Sequence, residues 1–205
     1  MKIIFWNIGY VPGLDGSMLG YLKSGHRIFK TPTSIQKKLL DGIAEKIKFE
    51  DPDIFLYAEV STGATRNEYL HQHDYLVEAM GNVKCHGVEG KYLRPSINKL
   101  PLHGGNSNGF LSKQDCKGQT AHFTKGSKSL IYVVEVQGVT IIMVHLSLQA
   151  RTRAHQLEEA AELVSTVKGP VVMCGDMNIF SGVKELDTLI KKTGLELPKD
   201  LPLTY

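Results

Sequence analysis

Four apolar runs constrain this chain more than anything else in it. IIFW runs into Asn7, DIFLYA into Glu59, TIIMV into His145 and VVMCG into Asp176, with Asn178 two places on. Runs this short and this apolar read as strands buried on both faces. Each ends in a residue able to hold a cation or move a proton. Any one of these would be an ordinary turn or cap residue. Four together are hard to assign to burial, because an unpaired buried carboxylate costs several kcal/mol.

Between the runs lie helical spacings, and the alternation predicts an α/β architecture. Strands are expected over 2–6, 53–58, 83–88, 107–112, 128–136, 139–145 and 171–175. The last pair but one forms a hairpin around Gly138. Ile35, Leu39, Leu40, Ile43 and Ile47 repeat at helical spacing behind a cap at Thr33 or Ser34. Further helices are expected over 66–80, 152–167 and 183–192. Loops fill 9–33 and 89–106. In open α/β sheets ligands gather beyond the carboxyl ends of strands, where the four polar residues fall. If extended geometry persists past Asp176, its side chain and that of Asn178 point the same way.

The 205 residues suit one domain, and a net charge of +3 is too mild to argue nucleic-acid binding. Three cysteines without a C-x-x-C pair argue against a disulfide framework and a zinc site, and for reduced thiols. Cys174 reads as a small core residue. MKIIFWN is too short for a secretory leader and no run is long enough to span a bilayer, so a cytoplasmic, non-membrane protein is expected.

The residue set suits metal-assisted phosphate chemistry. Magnesium is held by one or two carboxylates plus water and phosphate oxygens, a part for Glu59. Asp176 could deprotonate water, Asn178 donate to a phosphoryl oxygen, and His145 stabilise the transition state or protonate a leaving group. No G-x-S-x-G and no P-loop competes.

FWN (5–7), DPDIFLYAEV (51–60), SNGFLSK (107–113), VHLSLQARTRAHQ (144–156) and VVMCGDMN (171–178) resemble, in order and spacing, the endonuclease/exonuclease/phosphatase superfamily. The resemblance implies a DNase-I-like fold, a four-layer sandwich of two mixed β-sheets flanked by helices. It implies hydrolysis of a phosphate ester by this divalent-metal-dependent family, with Mg2+ or Mn2+. By the same resemblance Glu59 and Asn7 hold the metal, Asn7 and Asn108 contact substrate, and His145, Asp176 and Asn178 are catalytic.

Two departures stand out. Ala58 replaces the glutamine usual before the metal-binding glutamate. The family's terminal Ser-Asp-His also lies beyond Tyr205, so residues 1–205 are expected to be one domain lacking the C-terminal strands, with weak or no phosphodiesterase activity and an open sheet edge. A silent homologue that binds a phosphorylated ligand or a partner is the alternative. The substrate stays open. Ile179-Phe180 stand where inositol-polyphosphate phosphatases carry an arginine motif, no hydrophobic hairpin marks a membrane-acting sphingomyelinase, and nucleic acid lacks the support of strong basic charge.

Other residues are expected to be structural or solvated. His71 and His73 are read as solvated neighbours on a helix. Lys91, Arg94 and Lys99 are read as a solvated rim. Arg151 is expected to brace a strand-to-helix turn, with Gln156 structural and Trp6 in the core. The first loop, with Tyr10, Tyr21, His26, Arg27, Phe29 and Lys30, divides evenly between a substrate flap and an ordered surface loop.

Overall fold

The structure, a computed structural model, describes residues 1–14, 25–92 and 104–198. Tyr21, Arg94 and Lys99 lie outside them. Among these residues eight strands form two four-stranded sheets. The first holds β1 (Ile3–Asn7), β2 (Ile54–Ser61), β3 (Cys85–Gly90) and β4 (Asn106–Ser112), in the order β1-β2-β4-β3. The second holds β5 (Cys116–His122), β6 (Leu130–Val136), β7 (Val139–His145) and β8 (Val171–Asp176), in sequence order. The β1–β2 and β7–β8 pairs are parallel and the rest antiparallel.

Helices α1 (Thr33–Glu50) and α2 (Gln72–Met80) pack on the first sheet, and α3 (Ala150–Thr166) and α4 (Asp187–Thr193) on the second. The expected layers are therefore present. The central strands explain why they read as continuous apolar runs. On β2, Ile54 and Leu56 enter the core between the sheets while Phe55 and Tyr57 enter the core under the helices. On β7, Ile141 and Met143 face the other sheet, and Ile142 and Val144 face α3.

The hairpin turn is Gln137-Gly138, with φ of 50° and 77°. Two left-handed residues give the type I′ geometry that matches strand twist. Gly175 has the stronger requirement: at φ 142° a Cβ would lie 1.9 Å from the Val144 carbonyl oxygen. Only glycine lets β8 approach β7 there.

Several expectations are corrected. Cys85 and Cys116 form a disulfide, with Cα atoms 6.0 Å apart, and only Cys174 is free. The pair is separated by 31 residues and joins the outer strands β3 and β5 of different sheets, which spacing alone conceals. Trp6 is 41% exposed on the outer strand β1, because among the described residues no strand pairs beyond it. The stretch 66–80 is a short 3-10 turn and then a helix beginning only at Gln72. The strand β5 was not expected. Helix α1 starts behind Pro32 without a side-chain cap of its own; Glu68 Oε2 accepts from the Thr33 amide and hydroxyl, both at 2.9 Å. No helix among the described residues is long and apolar enough to cross a membrane.

Candidate active site

A β-bulge positions Glu59. Tyr57 pairs with Gly109 and Val60 with Ser107, so Ala58 and Glu59 together stand opposite Asn108. Glu59 takes a left-handed φ of 60°, rare for a residue with a long side chain. Its amide donates to Asn108 Oδ1 at 3.2 Å, tying the bulge to β4. Bulges of this kind re-aim side chains beside functional sites. Asn7 lies next to it, paired in register with Ala58 on the parallel strand β1.

The second sheet supplies the facing residues. His145 and Asp176 are register partners at the ends of β7 and β8. Asn7 Nδ2 donates to Asp176 Oδ2 at 2.8 Å, so the two sheets meet at this point. The amide of Asn178 donates to Asp176 Oδ1 at 3.3 Å. Here extended geometry does not persist: Asn178 has φ 49°, and its Nδ2 donates to the Leu146 carbonyl at 2.9 Å. It braces the β7 end and fixes Asp176 through its backbone, rather than pointing alongside it.

His145 is buried, and the Lys128 ammonium donates to its Nε2. An ammonium can only donate, so the ring proton sits on Nδ1. That buried Nδ1 has no hydrogen-bond partner among the described residues. Burial, then the charges of Lys128 and Lys91, push the imidazole down to about 2. The ring is therefore neutral, and its approaches of 3.4 Å to Asp176 and 3.9 Å to Glu59 are polar contacts, not ion pairs.

The expected rim lysine is the largest correction. Lys91 is 3% exposed, and its Nζ lies 3.1 Å from Glu59 Oε1. Lys128 Nζ lies 3.8 Å from the same oxygen. One backbone arrangement places both: Tyr92 and Lys128 form an antiparallel bridge, Ser129 donates to the Lys91 carbonyl, and Lys91 donates to Asn106 of β4. Tyr10 completes the wall, its half-buried ring under the Arg66 guanidinium at 3.9 Å and the Lys91 ammonium at 4.9 Å and its hydroxyl buried. Burial and then Glu59 hold its phenol well above the usual range. Lys128 and Arg66 carried no sequence signal; each lies outside the motifs and is brought in by the fold.

Two further residues change place. Arg153, not the exposed Arg151, braces the turn before α3: it donates to the Ser147 and Leu148 carbonyls, both at 3.0 Å, and pairs with Glu185. Gln156 is structural as expected, linking Ser147, Lys125 and Lys128. His73 is buried rather than solvated, bonded through Nδ1 to Tyr57 and through Nε2 to His86 at 3.1 Å. His71 precedes the helix and accepts from the Asp74 amide, so helical spacing never applied to the pair.

Comparison with solved structures shows what frame holds this constellation. An endonuclease/exonuclease/phosphatase protein from Beutenbergia cavernae superposes with a TM-score of 0.60 at 20% identity, covering 88% of this chain and 48% of its own. D. rerio TDP2, solved with a single-strand DNA product, gives 0.55 at 19% identity, over 97% of this chain and 66% of its own. Beta toxin from Staphylococcus aureus gives 0.57 at 17% identity, over 94% and 71%. The chain has the DNase-I-like fold. It spans about half of the B. cavernae protein. No family model matches the sequence, and no curated protein matches it. The DNase-I-like frame accounts for the order of the quoted motifs: both sheets present their strand ends at one rim, where Asn7, Glu59, Asn108, His145 and Asp176 converge.

The donor chemistry suits a hard divalent cation. Glu59 is a part-exposed carboxylate, and Asn7 adds an amide oxygen that accepts from the Gly9 amide at 3.0 Å. Among the described residues no three His, Cys, Asp or Glu side chains are placed to hold a metal ion by themselves. Water and substrate oxygens would complete the shell, which is the habit of magnesium. Asn108 Nδ2, a buried donor without a partner among the described residues on the side chain that holds the Glu59 amide, fits an anionic ligand beside it.

Proposed function

We propose that this chain is a divalent-metal-dependent phosphoesterase hydrolysing a phosphate ester. The observation that carries the reading is Asp176, held by Asn7 from the opposite sheet and by the Asn178 amide, beside the neutral His145. Two donors on the carboxylate orient it as the base that takes a proton from the attacking water. Asn108 presents Nδ2–H, already desolvated, as a donor to a phosphoryl oxygen, and His145 turns Nε2 toward Asp176 and Glu59. Glu59 and Asn7 would hold Mg2+ or Mn2+, which supplies charge neutralisation of the phosphate. The Lys91 and Lys128 ammonium groups add positive charge facing the same anion.

The test is hydrolysis of bis-p-nitrophenyl phosphate with magnesium or manganese. Asp176→Asn should lower the rate by about 10²–10⁴-fold, the usual contribution of a general base. An active wild type with an equally active Asp176→Asn overturns the assignment of the base. A second reading, a silent module that binds a phosphorylated ligand, draws on the two ammonium groups already gathered at Glu59. Phosphate binding without metal-dependent turnover would favour it.

A further inference from the structure

The Glu59 carboxylate already has a cation. Lys91 Nζ lies at 3.1 Å and Lys128 Nζ at 3.8 Å from the same oxygen, Oε1. These are not surface lysines that happened to fold over. Lys91 is nearly fully buried, with its backbone fixed between β4 and Ser129. Lys128 is fixed by its bridge to Tyr92 and its bond to His145. A buried ion pair persists when each charge compensates the other, and removing one partner leaves a costly orphan. Two ammonium groups at one oxygen also repel each other, while Asp176 supplies the cluster's second carboxylate at longer range.

We propose that Lys91 is an internal counter-cation that a divalent metal must displace from Glu59, and that the displaced ammonium passes to the phosphate ester. This rests on the reading of Glu59 as the metal-holding carboxylate. A metal approaching Glu59 Oε1 meets the Lys91 ammonium first, and the two positive charges cannot share that oxygen at contact distance. Metal affinity is therefore held down by the lysine. A phosphate arriving with the metal offers the ammonium a new partner, so metal and phosphate bind with positive coupling.

The experiment is equilibrium Mn2+ binding, read from the electron paramagnetic resonance signal of free Mn2+, with no substrate turnover. Lys91→Met keeps the length of the side chain and removes the charge; it should tighten Mn2+ binding by about tenfold or more. Lys128→Met, farther from the oxygen, should tighten it by a smaller factor. Inorganic phosphate should raise Mn2+ affinity in the wild type and less in Lys91→Met. Unchanged or weaker Mn2+ binding in Lys91→Met overturns the proposal. If that variant does not fold, Lys128→Met decides by the same criterion. Glu59→Gln separates the two claims. Mn2+ binding that survives it undiminished overturns the placing of the metal, and the proposal with it. Binding lost in Glu59→Gln but unchanged in Lys91→Met overturns the proposal alone.

Discussion

The two flanks of the sandwich are closed in opposite ways. At one, the outer strands β3 and β5 are joined covalently by Cys85–Cys116. At the other, the outer strands β1 and β8 are joined by the hydrogen bond from Asn7 to Asp176. The covalent flank holds no grouping of the candidate site. The polar flank holds most of it. On the proposed reading Asp176 takes a proton from water and cannot be sealed under apolar cover, so the sheets would meet there through side chains that also serve the chemistry.

Gly175→Ala would break the polar flank most completely. The new Cβ overlaps the Val144 carbonyl, backbone against backbone, so neither can yield without separating β8 from β7. We expect a loss of more than about 4 kcal/mol, seen as the absence of a cooperative urea transition. Cys85→Ser cuts the covalent flank; with the cysteines 31 positions apart it should cost about 2–4 kcal/mol. Chemical denaturation would show that loss, while hydrolysis per folded molecule stays unchanged. Asn7→Ala inverts that pattern. It should cost about 1.5–3 kcal/mol for a hydrogen bond to a charged group, yet lower turnover as well, because Asp176 loses its cross-sheet donor.

The smallest effect sharpens the covalent flank. His73 links α2 to His86 of β3, one residue from Cys85. Burial, then the neighbouring His86, lowers its pKa to about 4 from an ordinary value near 6.5. Between these two values the unfolded chain binds a proton that the folded chain refuses, so stability falls as pH falls through that window. Thermal midpoints should drop from pH 7 to pH 4.5. His73→Gln should flatten that slope; an unaltered slope would remove His73 as its source.

What the sequence made legible follows from local rules. The buried strands announced themselves through apolar runs, and their ends marked Asn7, Glu59, His145 and Asp176. What it hid depends on meetings between distant segments. Lys91 looks like one more charged loop residue until β4 and residue 129 fix its backbone. Cys85 and Cys116 meet because they occupy outer strands of different sheets. Arg153 replaces Arg151 as the brace because α3 turns one face, not the other, toward Glu185. The histidines misled because helical spacing was applied across a helix boundary.

The bulge at Glu59 also sets the phase of its strand. Before it, odd-numbered residues of β2 look toward the helices, as Phe55 and Tyr57 do; after it, Val60 does, and the parity has inverted. The strand is thus spelled in two reading frames joined at one acidic residue. Deleting either Ala58 or Glu59 would merge them into one regular alternation with Val60 still toward the helices, and the bulge that aims the acidic side chain would be gone. The extra residue thus serves the direction of one side chain, the carboxylate.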